Sequence, residues 1–146
     1  MHLRELPNRT ISGVYILHAG IGKWRGDEAT AKGVHAMAAG TYPIFKDMAP
    51  ERFLRLLAAG EIATGLALVA PFVPAEVAGA VLSAFAGGLL GLYARTPGMR
   101  KPGSVWPTPQ GIGISKDSWL LAIGLSLVAD GLATKRNRSA AVLDPT

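Results

Sequence analysis

Residues 56–70, LLAAGEIATGLALVA, decide the fold class of this chain. All of them except Glu61 and Thr64 are apolar or glycine. With its flanks this stretch predicts a membrane-spanning helix, which needs about 20 largely apolar residues. A carboxylate in hydrocarbon costs several kcal/mol, so we expect Glu61 to face the interior of a helix bundle.

The composition of the whole chain supports a membrane protein. Of its 146 residues, 49% are hydrophobic, only 17% are charged, and the mean hydropathy is +0.29. A soluble domain of this length usually has about a quarter of its residues charged. The net charge of +5 comes from basic residues that bracket apolar segments. That pattern suits phospholipid headgroups and excludes a nucleic-acid-binding face, where cations alternate with aromatic platforms.

Four segments predict an all-α, integral membrane four-helix bundle, with spans at about 10–24, 52–71, 75–94 and 117–134. They form one domain of residues 1–137, followed by a flexible tail of residues 138–146. The first loop is long, and DEATAKGVHAMAAG within it predicts a short interfacial helix. The second loop is only a turn, which indicates an antiparallel hairpin. The third loop is rich in proline and glycine and predicts ordered coil.

The chain is expected in a bacterial inner membrane with both termini in the cytoplasm. Four spans place both termini on one side, and basic residues on short flanks favour the cytoplasm. The flanking residues that support this orientation are Arg4, Arg9, Lys135, Arg136 and Arg138.

Small residues recur every fourth position in the third span, at Gly79, Ser83, Gly87 and Gly91. In a helix they form one groove in which another backbone can approach closely. Packing within the bundle and docking of a helix from a partner protein both fit this pattern.

Glu61 and His18 are predicted at similar depth near the middle of the bilayer, as a buried polar pair. Lys23 lies one to two turns nearer the first loop and could also reach Glu61. The pair is interpreted first as a structural peg between the first two spans. The alternative is a set of weak cofactor-binding candidates, His18, Lys23 and Glu61, around a quinone headgroup.

The sequence gives little support for thiol, metal, dinucleotide or nucleophile chemistry. The chain has no cysteine, which excludes disulfides, a thiolate nucleophile and cysteine-ligated metal. Its three histidines are scattered without ligand spacing, so no metal site is predicted. Gly111 and Gly113 belong to no strand-to-helix unit, and no serine sits in a nucleophile elbow, so no catalytic residue is predicted.

Three spans combine glycines with a few charged residues: Arg9, Gly13, Gly20 and Lys23 in the first, GEIATGLAL in the second and KDSWLLAIGLSLVADG in the last. In this pattern the chain resembles the DoxX family of small four-helix bacterial membrane proteins. The resemblance implies a four-helix membrane fold, with Lys23 and Glu61 as the intramembrane charges. Some relatives in that family are subunits of a thiosulfate:quinone oxidoreductase, and others associate with redox or detoxification enzymes.

These features lead to two functional hypotheses. The first is a non-catalytic accessory subunit, without a cofactor, of a larger inner-membrane complex such as an envelope lipid-transport machine. It would contact that complex and membrane lipids through the third span and the first and third loops. The second is a membrane subunit of a quinone-linked oxidoreductase, with Glu61, His18 and Lys23 near the quinone headgroup.

Overall fold

A computed structural model describes residues 3–143, whose regular secondary structure is entirely helical. One-turn 3-10 helices at Leu3–Glu5 and Pro43–Phe45 accompany six α-helices. These are α1 (Leu6–Trp24), α2 (Glu28–Thr41), α3 (Pro50–Val69), α4 (Ala75–Arg95), α5 (Ile112–Ser115) and α6 (Asp117–Leu143).

The helices begin where the sequence supplies start signals. Asp27 precedes α2 with extended backbone, and its carboxylate accepts a hydrogen bond of 2.8 Å from the amide of Thr30. This bond lowers the pKa of the Asp27 carboxyl. Pro50 is the first residue of α3, where its missing N–H costs nothing, and Glu51 follows at the positive end of the helix dipole.

The four long helices pack as two pairs, α1 with α3 and α4 with α6. Glycines bring each pair close enough for backbones to touch. A Cβ added at Gly65 of α3 would lie 2.8 Å from the carbonyl oxygen of Gly13 in α1. A Cβ added at Gly79 of α4 would lie 2.5 Å from the carbonyl oxygen of Gly124 in α6. The antiparallel α3–α4 hairpin, joined by residues 70–74, has a less extensive contact and links the two pairs.

Helix α2 confirms the helix predicted in the first loop, and it is built into the fold. It packs on α3 and contacts α4 at the loop end of the bundle. Its Ala38 joins Phe53 and Leu92 in a buried cluster, and the rings of Phe45 and Phe53 meet edge to face with centroids 5.0 Å apart. The first loop therefore closes one end of the bundle.

Three predicted spans have ends that differ from the structure by two residues or more, and α3, at Pro50–Val69, is shifted by two residues from the predicted 52–71. Helix α1 begins at Leu6, four residues before the predicted span, and its added first turn includes Arg9, which is buried against the end of α3. Helix α6 continues from the predicted end at 134 to Leu143. Residues 138–143 of the predicted tail are thus helical, and residues 144–146 lie outside the described part of the chain.

Two helical segments, Ala75–Arg95 and Ile112–Asn137, are long and apolar enough to cross a membrane. Only 28% and 11% of their most apolar windows are buried inside the protein. The core helix of a soluble protein would be mostly buried. These two segments are not mostly buried within the fold.

Candidate functional site

A cleft separates the two helix pairs on the side where α1 faces α6. It has a volume of about 930 Å³ and is closed at the loop end by α2. Along α1 it extends from Pro7 to Lys23, which is about 24 Å at the helical rise of 1.5 Å per residue. Its walls are mostly apolar and include Ile11, Tyr15, Leu57, Phe85, Leu89 and Leu120.

A buried ion pair lies at the loop end of this cleft. The Lys23 ammonium nitrogen is 2.9 Å from Oε1 and 3.0 Å from Oε2 of Glu61. The Glu61 side chain is 7% exposed and that of Lys23 is 30% exposed, so the carboxylate is the more deeply placed partner. Asp117, the first residue of α6, also lines the cleft and interacts electrostatically with both groups.

The backbone of α1 positions this ion pair. A Cβ added at Gly20 would lie 2.9 Å from the Glu61 Cβ, so only a glycine lets α1 approach α3 beside the carboxylate. Lys23 follows three residues later, on the same face of α1, and its side chain reaches Glu61. Gly20 and Lys23, both in the first predicted span, therefore build the site together.

The structure corrects the predicted buried pair of His18 and Glu61. The partner of Glu61 is Lys23, and His18 is exposed on the outer face of α1. The buried face of α1 carries Gly13, Ile16 and Gly20. At 100° per residue His18 lies on the opposite side of the helix from these positions, although its depth along the axis matches the prediction.

The four small residues predicted to pack against a partner, Gly79, Ser83, Gly87 and Gly91, have different surroundings in the structure. Gly79 and Ser83 pack against Gly124 of α6 inside the bundle. Beside Gly91 lies the hydroxyl of Tyr42, which donates a hydrogen bond of 2.8 Å to the carbonyl oxygen of Gly88. Gly87 is exposed, and no atom lies within 4 Å of where its Cβ would be.

Sequence reasoning treated Arg9 as an interfacial flank, whereas the structure buries it completely. Its guanidinium lies 3.8 Å from the carboxylate of Glu5, one turn earlier in the chain. It donates to two of the carbonyl groups that a helix leaves unpaired at its C-terminus, and to two more in the turn that follows α3. Its four hydrogen bonds, of 2.8–3.1 Å, go to the carbonyl oxygens of Ala67, Leu68, Ala70 and Val73.

One signal in the sequence does indicate this role. Arg9 stands four residues after Glu5 and four before Gly13, so all three share one face of α1. That face is the one that contacts α3.

Across residues 3–143, no group of three histidine, aspartate or glutamate side chains is placed to hold a metal ion. No family model, no curated protein and no solved structure matches the chain. The resemblance to the DoxX family therefore stays a prediction, and the function is argued from the cleft and its charges.

Replacing Lys23 by Met is expected to destabilise the protein by about 1–2 kcal/mol. The change leaves the buried carboxylate of Glu61 beside Asp117 without its cation, and partial exposure of Lys23 reduces the cost below that of a fully buried pair. The measurement is chemical unfolding of the purified protein in detergent, followed by circular dichroism. Lys32→Met is the control, because Lys32 pairs with Glu28 on the exposed surface of α2 and should change stability by less than about 0.5 kcal/mol. Equal effects would contradict the assigned role of Lys23.

Proposed function

We propose that the chain is an integral protein of the bacterial inner membrane, with α1, α3, α4 and α6 as its spans. The support is the apolar outer surface of these four helices. Large contiguous apolar surfaces on a folded protein are contact sites for lipid or for other proteins. Exposed side chains on these outer faces include Val14 (54%), Leu66 (51%), Val77 (47%), Leu125 (56%) and Leu132 (55%).

Among the described helices, α1 and α3 do not contain a segment apolar enough to cross a membrane by composition alone, and their charges include Arg9, Lys23 and Glu61, which have partners inside the bundle. Arg9 donates hydrogen bonds to carbonyl oxygens at the end of α3 and in the turn after it, and Lys23 neutralises Glu61. Ionisable residues within spans usually pair with one another or with backbone carbonyls in this way. With 19 and 20 residues, α1 and α3 are about 30 Å long, the thickness of the hydrocarbon core.

The orientation of the bundle depends on which cations lie free at each end. Of the residues that favoured cytoplasmic termini, Arg9 is buried, Arg4 faces Asp130 and Lys135 faces Glu76. Lysine and arginine at the ends of spans favour the cytoplasmic side, and more of them lie at the loop end. We therefore propose the opposite orientation, with the first and third loops in the cytoplasm. Apart from Lys32, which pairs with Glu28, the exposed cations of the loop end are Arg25, Lys46, Arg52, Arg55, Arg95, Arg100, Lys101 and Lys116.

The function that the geometry supports best is binding of a long-chain amphiphile in the cleft. The observation that carries this proposal is an apolar cleft that ends at the Lys23–Glu61 ion pair and Asp117. Ligand sites typically combine apolar walls with a few polar groups that fix orientation, within 300–1,000 Å³. A length of about 24 Å exceeds one leaflet, which is about half of the 30 Å core. That length favours an isoprenoid chain, as in a membrane quinone, over a diacyl phospholipid.

The protein would act as a non-catalytic subunit that holds this molecule for a larger membrane complex. An envelope lipid-transport machine is one such complex, and a quinone-linked oxidoreductase is the alternative. The open backbone at Gly87, on the outer surface of α4, supports contact with a helix of that complex. Lys23 and Glu61 would contact the headgroup in either setting.

Decylubiquinone is a suitable probe because quinones quench tryptophan fluorescence. Trp119 lines the cleft, so a variant with Trp24→Phe and Trp106→Phe reports from that residue alone. In this background decylubiquinone should quench saturably. Ala19→Phe, which fills the cleft, should weaken binding at least about tenfold, whereas Ala59→Phe on the exposed face of α3 should leave it unchanged. Quenching that never saturates, or that is equal in both variants, would refute cleft binding.

Glu61→Gln distinguishes the two settings in cells. Loss of electron transfer with the complex intact supports the quinone-linked alternative. Loss of complex assembly alone supports a structural role in which Glu61 holds α1 and α3 together. Unchanged assembly and unchanged turnover would count against any role of the carboxylate beyond local packing.

A further inference from the structure

The loop between α4 and α5 folds into a second concave site, separate from the cleft. Residues 94–98 and 100–105 line a cavity of about 440 Å³. Three cations, Arg95, Arg100 and Lys101, border this cavity, and the described lining residues include no carboxylate. We call this cavity the cationic cradle.

Backbone contacts hold the cradle in shape. Arg100 and Pro107 form an antiparallel bridge, and the amide of Lys101 donates a hydrogen bond of 3.0 Å to the carbonyl oxygen of Trp106. The Tyr93 hydroxyl donates a bond of 2.6 Å to the carbonyl oxygen of Val105, which ties the tip of the loop to α4. A preformed site loses little conformational entropy when it binds.

Two glycines allow this loop its path. Gly98 and Gly103 have φ values of +83° and +67°, which other residues adopt only with strain. The sequence therefore specifies this loop conformation at both turns.

The charge of the cradle remains strongly positive after the end of α4 is counted. The C-terminus of a helix carries about half a negative charge, and Arg100 donates a hydrogen bond of 2.7 Å to the carbonyl oxygen of Ala94 there. Three unit charges outweigh this partial charge, which leaves roughly +2.5. Arg95 and Lys101 are exposed and form no ion pair within residues 3–143, and the Arg95 guanidinium lies 5.9 Å from the centroid of the Tyr42 ring.

The rim of the cradle is apolar and exposed. Val105 is 75% exposed and Trp106 is 70% exposed at the tip of the loop. Tryptophan beside arginine and lysine is typical of the membrane–water interface, where the ring lies at headgroup depth and the cations meet phosphates. A site for a free, soluble anion has no need of this apolar rim.

We infer that the cationic cradle binds the phosphate of an anionic phospholipid, with Val105 and Trp106 at the boundary between the headgroups and the acyl chains. The inference rests on the proposed insertion in the membrane. With the loops in the cytoplasm, the cradle faces a leaflet whose anionic lipids give it a negative surface potential. Bidentate arginine contacts and the lysine charge supply phosphate recognition.

Native mass spectrometry of the full chain, released from bilayer discs of equimolar phosphatidylglycerol and phosphatidylcholine, tests this site. The wild-type protein should retain phosphatidylglycerol at least about fivefold over phosphatidylcholine. Arg95→Gln with Lys101→Gln should abolish this preference. Lys32→Gln with Lys46→Gln removes the same charge at the same end outside the cradle and should preserve it.

Equal retention of both lipids by the wild type, or equal loss in both double variants, would overturn the inference. Displacement of the lipid by soluble glycerol phosphate would also overturn it, because the site would then be one for free anions. Circular dichroism confirms that each variant is folded. Failure of the protein to enter discs of phosphatidylcholine alone would instead refute membrane insertion, so the two proposals fail in different ways.

Discussion

Arg9→Leu is expected to lower the free energy of unfolding by about 3–5 kcal/mol, the largest effect of any single substitution considered for this chain. The change removes all four hydrogen bonds to the end of α3 and the turn after it. It also removes the guanidinium that faces the buried carboxylate of Glu5. Buried backbone carbonyls without partners are costly, most of all where water cannot reach them. Unfolding in detergent, followed by circular dichroism, measures the effect.

Arg4→Leu is the matched control for this prediction. Arg4 lies five residues earlier, is 59% exposed in its side chain and faces Asp130 at 3.8 Å. Exposed pairs of this kind contribute about 0–1 kcal/mol, so the control should be nearly neutral. An Arg9→Leu protein as stable as Arg4→Leu would show that Arg9 does not hold the ends of α1 and α3 together.

Gly79→Leu is expected to separate α4 from α6 and to cost about 3 kcal/mol or more. The first added carbon would already lie 2.5 Å from the carbonyl oxygen of Gly124, and the rest of the side chain has no space. Overpacking at a well-packed contact usually costs 1–3 kcal/mol, and backbone on the other side leaves little room for adjustment. Detergent unfolding and the yield of folded protein report the change.

Gly87→Leu, two turns along the same helix, is the control and the test of partner docking. No neighbour lies within 4 Å of its added Cβ, so the variant should fold as the wild type does. If Gly87 contacts a helix of a partner complex, the variant should be released from that complex while remaining folded. Equal destabilisation by both substitutions would contradict the finding that Gly79 packs inside the bundle while Gly87 lies open on its surface.

The helices and their ends were largely predictable from local sequence. The predicted third span, 75–94, differs from α4 by one residue because Pro74 precedes it, its interior is free of charge and Arg95 closes it. Asp27 likewise opens the predicted helix DEATAKGVHAMAAG and caps α2, whereas α3 begins at Pro50, two residues before the predicted span. Start signals act within one turn of the chain, so the sequence alone contains them.

The rotation of each helix about its axis was harder to predict. Counting residues placed His18 near the level of Glu61, as the contact of Gly20 with Glu61 indicates, but could not give its direction, which depends on Gly13 and Gly20 contacting α3. The burial of Arg9 was missed because an arginine beside a span usually reaches the interface. In this fold the end of α3 and the turn after it lie close enough to supply four acceptors. Both errors concern contacts between helices, which the pattern of a single helix does not contain.

The most direct test of a lipid-embedded bundle places a nitroxide on the outer face of each span. The chain has no cysteine, so single cysteines at Val14, Leu66, Val81 and Leu125 can be labelled without background. All four positions are exposed on the fold. In reconstituted vesicles, electron paramagnetic resonance should show frequent collisions with oxygen and few with a water-soluble nickel chelate. A label at Lys46, in the first loop, should show the reverse. High collision rates with the nickel chelate at all four positions would contradict the membrane-spanning bundle.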